Sequence, residues 1–157
     1  MEKEILSMIG IIIGFGLSVL KDFITEKTKK KYKENELRRN KLEELYIEVD
    51  KWFNYSSLNQ ANFILSLSTD KNYLDLSEER KKFNYDLIKI EMIISVYIEK
   101  LKDEYNEIIT KKTELSKLEM KELNKEDKKE KYIDLNNNFC NLMQNMKKKI
   151  ADEVKSV

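Results

Sequence analysis

The stretch that decides the fold is residues 77–108, SEERKKFNYDLIKIEMIISVYIEKLKDEYNEI. Apolar side chains recur in it every three or four positions, for about seven turns of a helix. The members of this stripe are Phe83, Leu87, Ile90, Ile94, Tyr97, Leu101, Tyr105 and Ile108. Ser77 is a suitable N-cap, and the acids that follow it suit the positive end of a helix dipole. The stretch therefore predicts one long helix at the centre of an all-α core.

Amphipathic helical patterns continue on both sides of this helix. Upstream, a helix is predicted to end near Phe53, because the polar cluster 54–57 is a turn signal, and a shorter helix should follow it up to the polar run 68–72. Downstream, the apolar pattern thins out into the charged run 124–130, which indicates a helix end or a loop. A last helix then carries the stripe Tyr132, Leu135, Phe139, Leu142, Met146 and Ile150. We expect an antiparallel bundle of about four helices, with a coiled-coil arm over 111–131 as the alternative.

Helix breakers are absent from almost the whole chain. Proline does not occur, and the only glycines are Gly10, Gly14 and Gly16, so the 141 residues that follow contain neither. Charged residues make up 38% of the chain and apolar residues 41%. This mixture is typical of apolar stripes on long solvated helices rather than of one broad core.

The composition argues against several classes of chemistry. Thirty basic residues are nearly balanced by 29 acidic ones, so the net charge of +1 gives no strong signal for nucleic-acid binding. The chain has no histidine and a single cysteine, Cys140, which removes the commonest general base and the usual zinc sites. Cys140 follows Phe139 on an apolar face and is predicted to be a small core residue. We therefore predict a non-enzymatic protein with no catalytic residue, no cofactor and no metal.

Residues 5–20, ILSMIGIIIGFGLSVL, are sixteen uncharged residues in a row. As a helix, the apolar stretch up to residue 24 would be roughly 30 Å long, about one hydrocarbon core. One alternative is a cleaved signal peptide, although residues 2–4 are Glu-Lys-Glu and no small-residue cleavage site precedes Lys21. Another alternative is a buried helix of a soluble protein. We predict a single transmembrane anchor over 1–24, whose helix continues into the bundle.

The charges that follow the anchor predict its orientation. Nine basic residues and four acids lie between positions 21 and 41, whereas one lysine and two acids precede the anchor. The positive-inside rule therefore puts the bundle, 42–157, in the cytoplasm, the anchor in the inner membrane and the N-terminus outside. The stalk, 25–41, is predicted to contact anionic lipid headgroups through Lys27, Lys29, Lys30, Lys31 and Lys33. A topology signal on a solvated stalk is the alternative.

Small residues within the anchor indicate self-association. Gly10, Gly14 and Ser18 are spaced four apart, so a helix places them on one face, where two backbones can approach closely. We predict a homo-oligomer that forms through this face.

Two resemblances bear on function. The string Arg39-Asn40 is similar to the start of the Arg-polar-x-His signature of HEPN ribonucleases, which are also small helical bundles, but this chain lacks the histidine. The resemblance implies a catalytically inactive, HEPN-like bundle. A short anchor followed by a cytoplasmic bundle also resembles the membrane effectors of bacterial phage defence, including CRISPR-associated proteins that assemble into pores.

Two functions follow as hypotheses. The first is an effector that self-associates and perturbs or perforates the bacterial inner membrane. The second is a membrane-tethered adaptor whose bundle binds a cytoplasmic protein through exposed aromatic side chains, with Trp52, Tyr55 and Tyr73 as candidates. Core packing is the alternative role of these three residues.

Overall fold

The structure is a computed structural model in which the backbone of residues 2–68 and 77–157 and the side chains of 18–68, 78 and 81–157 are described. The five α-helices are α1 (Glu2–Ser68), α2 (Ser77–Lys82), α3 (Leu87–Tyr97), α4 (Lys102–Met120) and α5 (Lys125–Ser156), and a 3-10 turn covers Glu99–Leu101. Within the described ranges there is no strand. The prediction of an all-α protein is confirmed.

The chain divides into two compact units, Met1–Arg38 and Arg39–Val157. The first unit consists of the N-terminal part of α1, and all of its described side chains, 18–38, are exposed. The second unit holds the rest of α1 together with α2 to α5 and contains the hydrophobic core.

No helix in the part of the chain that the structure describes is both long enough and apolar enough to cross a membrane. The predicted anchor over 1–24 falls mostly on residues 1–17, whose side chains lie outside the described part. The anchor therefore stays a prediction.

Side-chain contacts fix the relative directions of α1, α4 and α5 in the second unit. From α1 to α5, Asp50 pairs with Lys147 and the Phe63 ring contacts the Tyr132 ring, so these two helices are antiparallel. From α4 to α5, the pairs are Glu104 with Lys149 and Glu119 with Tyr132, which again means antiparallel helices. A further pair, Lys89 with Glu44, joins α3 to α1. The second unit is thus a helical bundle in which α1 and α4 run parallel and both oppose α5.

The core is centred on Trp52, which is fully buried in the middle of the bundle. Its ring centroid lies 6.0 Å from that of Tyr85, 6.2 Å from that of Tyr105 and 6.2 Å from that of Phe139. These rings come from α1, from the segment before α3, from α4 and from α5. One aromatic cluster therefore joins α1, α4, α5 and the segment before α3.

The predicted turn at 54–57 is wrong, because α1 continues through it without a break to Ser68. Asparagine and serine cost a helix only about 0.5 kcal/mol each, an amount that tertiary packing overrides. Asn54 Nδ2 donates a hydrogen bond to Asp50 Oδ2 at 3.1 Å, and Ser56 is buried inside the bundle.

The single long helix predicted over 77–108 is also wrong, since α2, α3, the 3-10 turn and α4 share that stretch. Residues 83–86 are not helical, and Asp86 Oδ1 caps α3 by accepting a hydrogen bond from the Lys89 N–H at 3.1 Å. The chain turns back between α3 and α4, where Ile98 and Leu101 are both buried. The apolar residues of this stripe keep the spacing of one continuous helix, but in the structure they belong to two helices and the turn that joins them. The predicted central residues Ile90 and Ile94 are buried nonetheless.

The alternative prediction, a coiled-coil arm over 111–131, is wrong, because α4 and α5 pack into the bundle there. Leu115 and Tyr132 are buried in the core, so this section belongs to the bundle. The charged run is mostly helical, because α5 begins at Lys125, where the Asn124 Oδ1 accepts a hydrogen bond from the Asp127 N–H at 2.8 Å. The last helix is confirmed, with Phe139, Met146 and Ile150 among its buried residues.

Two carboxyl groups on the bundle predict how its stability depends on pH. Hydrogen bonds from Lys41 and Lys89 lower the pKa of Glu44, and a hydrogen bond from Lys149 lowers the pKa of Glu104. A carboxyl with a folded pKa below its unfolded value of about 4.3 stabilises the fold above that value, and this contribution is lost as pH falls through the folded pKa. We therefore expect the unfolding temperature, followed by circular dichroism, to fall below about pH 4.3.

Glu104→Gln should weaken this acid dependence, with an effect of up to about 1 kcal/mol because the ion pair lies near the surface. Glu107→Gln is the matched control, since Glu107 is exposed and forms no ion pair with any described residue. Identical pH profiles for Glu104→Gln and the unchanged protein would contradict this role of Glu104.

Candidate functional site

A polar groove of about 410 Å³ opens between α1 and α4 in the bundle, and it is the candidate functional site. From α1 it is lined by Tyr55, Ser56, Asn59, Gln60 and Phe63, and from α4 by Lys112, Leu115, Ser116 and Glu119; Tyr85 and Tyr132 complete it. Its volume lies within the usual range for small-molecule sites, about 300–1,000 Å³. We refer to it as the α1–α4 groove.

Two nearly buried polar side chains of α1 line this groove without using their donors. Ser56 is 7% exposed and Gln60 is 6% exposed, and they lie one helical turn apart. The Ser56 hydroxyl and the Gln60 NH₂ group donate no hydrogen bond to any described residue. Neither the Ser56 Oγ nor the Gln60 Nε2 is among the fully enclosed side-chain atoms of the described residues that lack a partner, so both donors reach the solvent of the groove and can bind an acceptor there.

The Gln60 carboxamide is oriented by Cys140. The Cys140 Sγ lies 3.8 Å from Gln60 Oε1 and 3.7 Å from Asn136 Oδ1. Burial raises the pKa of the Cys140 thiol, so the thiol keeps its proton at neutral pH and can donate it. Because the oxygen of Gln60 faces this thiol, its NH₂ group is left to face the groove.

Lys112 places the positive charge in the groove. Its Nζ lies 5.4 Å from the Trp52 ring centroid and 5.3 Å from the Tyr85 ring centroid, and it donates a hydrogen bond to Tyr85 Oη at 3.0 Å. The two aromatic faces and the phenol favour this position of the ammonium group. No carboxylate of a described residue pairs with Lys112, so two of its three donors are available.

Glu119 lies at the other end of the groove, seven residues further along α4 and thus about 10 Å from Lys112 along the helix axis. Its Oε1 accepts a hydrogen bond from Tyr132 Oη at 2.7 Å. The groove therefore has a cation at one end and an anion at the other, with hydrogen-bond donors between them. This arrangement suits recognition of a polar ligand.

The residues predicted to act at the membrane lie in the first unit. The helical backbone there preserves the four-residue spacing of Gly10, Gly14 and Ser18, although the side chains of 1–17 are outside the described part. The predicted headgroup contacts are all exposed, and none pairs with a described carboxylate; they are Lys27, Lys29, Lys30, Lys31 and Lys33. At about 100° per residue they point in several directions around the helix axis. The five lysines therefore surround the helix with positive charge rather than forming one lipid-binding face.

The predicted aromatic binding surface is wrong for Trp52, which is fully buried in the core. Tyr55 is half-buried and lines the α1–α4 groove, and Tyr73 lies outside the described residues. Cys140 is half-buried beside the core. Arg39, the residue of the HEPN resemblance, is exposed and donates a hydrogen bond to Glu43 Oε1 at 3.0 Å.

The sequence does not predict the groove, because its two walls come from distant parts of the chain; Gln60 and Lys112, for example, are 52 positions apart. One signal was present in the sequence. Between Trp52 and Phe63, which are both core residues, Ser56 and Gln60 lie on the same helical face at spacings of three and four. Two polar residues within a stripe of buried apolar residues indicate either hydrogen bonds inside the core or a binding site.

Comparison of the chain with protein-family models, with curated proteins and with solved structures finds no match. The resemblances to HEPN bundles and to phage-defence effectors therefore stay predictions.

Proposed function

We propose that this chain is a membrane-tethered, non-enzymatic adaptor. The N-terminal part of α1 anchors it in the bacterial inner membrane, and the α1–α4 groove binds a partner in the cytoplasm. The observation that carries the proposal is the pair of donors on the nearly buried Ser56 and Gln60, which line the groove and have no acceptor among the described residues. The bundle does not use these donors for its own hydrogen bonds, whereas a ligand in the groove could accept hydrogen bonds from both.

The membrane part of the proposal is supported by residues on both sides of position 18. The uncharged segment 5–20 is continued by Val19, Leu20, Phe23 and Ile24, each more than half exposed in the first unit. A run of exposed apolar side chains on a helix is unfavourable in water and favourable in lipid. The lysines from Lys27 onward would then lie at the cytoplasmic headgroups.

Site-specific crosslinking tests the adaptor function. A photoreactive benzoylphenylalanine in place of Asn59, which lines the groove, should give a discrete crosslinked product with a cytoplasmic protein in native membranes. Lys112→Met should reduce that product, because it removes the cation of the groove.

The matched control is the same photoreactive residue in place of Ser95, which is exposed on α3 and lies outside the groove. It should give no such product. Equal crosslinking from both positions, or a product insensitive to Lys112→Met, would count against recognition through the groove.

A second candidate function is a self-associating effector that perturbs the inner membrane, as in phage defence. Its support is the Gly10, Gly14 and Ser18 spacing, together with an apolar stripe on α3. Ile88, Met92 and Val96 are 81%, 54% and 67% exposed at four-residue spacing. A second copy of the chain is the partner that this candidate requires for both faces.

Bulky replacements test this second candidate. Gly10→Ile with Gly14→Ile should prevent close helix packing and lower the oligomer size measured by light scattering in mild detergent. The thermal unfolding of the bundle should stay nearly unchanged, because its core lies in the second unit. An unchanged oligomer would place assembly in the bundle, and a monomeric unsubstituted protein would remove the effector candidate.

A further inference from the structure

We propose that the α1–α4 groove recognises a carboxylate with a single negative charge, bound by the Lys112 ammonium, the Ser56 hydroxyl and the Gln60 NH₂ group. This inference rests on the proposed function of the groove as a binding site and adds the chemistry of what it binds.

Three polar side chains that line the groove offer it hydrogen-bond donors. Lys112 has donors only, and Gln60 turns its NH₂ group to the groove because its oxygen faces the Cys140 thiol at 3.8 Å. Ser56 has a hydroxyl proton that no described residue accepts. Three donors that line one cavity are complementary to an acceptor with several lone pairs, and an ionised carboxylate accepts up to about four hydrogen bonds.

The environment of Lys112 supports an anion as the missing partner. Most other half-buried lysines of the bundle, with Lys128 and Lys129 as exceptions, contact a carboxylate. Lys111 pairs with Glu114 at 2.9 Å, and Lys89 pairs with Glu44 at 2.6 Å. Lys112 instead has two aromatic faces and a neutral phenol. A ligand carboxylate would complete for Lys112 the pairing that its neighbours already have within the chain.

The charge of the ligand follows from the rest of the groove. Lys112 is the only cation among the lining residues, and Glu119 lines the same groove. An anion with two charges would keep one of them unpaired and would face Glu119. None of the residues that line the groove is an arginine, which could bind a phosphate with two hydrogen bonds. A single carboxylate is therefore favoured over phosphate.

Trp52 provides a direct readout. It is the only tryptophan of the chain, and the Lys112 Nζ lies over its ring. The fluorescence of Trp52 should therefore respond when an anion pairs with Lys112.

The test uses the full chain in detergent micelles and two probes of equal size, N-acetylglycine and the neutral N-acetylglycinamide. We expect N-acetylglycine to change Trp52 emission saturably and the neutral amide to have no effect.

Affinities for N-acetylglycine measured by calorimetry should fall about tenfold or more in Lys112→Met, since a hydrogen bond to a charged group is lost. Lys111→Met is the matched control and should bind as the unchanged protein does, because Lys111 lies outside the groove. Gln60→Met, which keeps Lys112 and its fluorescence effect, should also weaken binding.

Two further probes identify the source of the carboxylate. Tighter binding of an amidated pentapeptide with a central glutamate than of N-acetylglycine assigns the site to an acidic side chain of a protein, and the reverse order assigns it to a free carboxylate. Both results support the inference. It is overturned if no carboxylate probe binds saturably, if the neutral amide binds equally well, or if inorganic phosphate binds more tightly than every carboxylate probe. Crosslinking from the groove without carboxylate binding would overturn this inference alone, whereas carboxylate binding without any crosslinked protein would remove only the adaptor function.

Discussion

Replacing Trp52 with alanine should lower the free energy of unfolding of the bundle by about 3–5 kcal/mol, the usual cost of removing a large aromatic side chain from a core. Trp52 is fully buried and contacts rings from three other parts of the bundle, including Tyr105 and Phe139. The surrounding helices cannot all close the resulting cavity at once. Since a domain is stable by only about 5–15 kcal/mol, we expect a large loss of stability.

Denaturation followed by far-ultraviolet circular dichroism, which reports helix content, measures this loss without depending on tryptophan fluorescence. Ile88→Ala is the control, because Ile88 is 81% exposed and should change the stability by no more than about 0.5 kcal/mol. Similar losses for both variants would show that Trp52 is not at the centre of the core.

Replacing Gln60 with methionine should raise the free energy of unfolding slightly, by up to about 1 kcal/mol, although most core substitutions lower it. The two side chains have similar length and similar helix propensity, so the main change is the removal of an amide whose NH₂ group is unpaired. Gln60 is 6% exposed, and the one side-chain hydrogen bond that it forms with a described residue is the weak one from the Cys140 thiol. A gain in stability combined with a loss of binding is the expected behaviour of a residue kept for function.

Tyr132→Phe is the matched control in the same groove. Tyr132 Oη donates to Glu119 at 2.7 Å, so its removal deletes a polar group that is paired and should lower the stability by about 0.5–1.5 kcal/mol. Thermal unfolding of both variants gives the comparison. A loss of stability in Gln60→Met equal to that in Tyr132→Phe would mean that the Gln60 amide is satisfied within the bundle.

The sequence predicts the helical class and the last helix well, because helix breakers are absent and the stripe on α5 has no competing pattern. It fails at the turn between α3 and α4. Ile98 and Leu101 keep the helical spacing of the stripe, yet both are buried where the chain reverses. Apolar periodicity reports which residues are buried and cannot by itself distinguish a helix from a buried turn with the same spacing. A similar limit applies at 54–57, where polar residues indicate a turn, but the helix continues and two of the four, Tyr55 and Ser56, line the groove.

The groove could be predicted only in part. Ser56 and Gln60 stand out as polar residues on a buried face, but their relation to Lys112 depends on the parallel packing of α1 and α4. Lys112 itself is one of many lysines in the sequence, and what distinguishes it among the described residues is that it contacts two aromatic rings and pairs with no carboxylate. Tertiary packing, rather than any local pattern, creates the site.

Alkaline carbonate extraction of membranes from cells that express the full chain tests most directly whether α1 tethers the bundle to a membrane. We expect the protein to stay in the membrane pellet after the wash, as a helix that spans the bilayer through 5–20 would, because carbonate releases proteins held by charge alone. Release of the protein into the supernatant would contradict the tether and would leave the α1–α4 groove as the site of a protein that does not span the membrane.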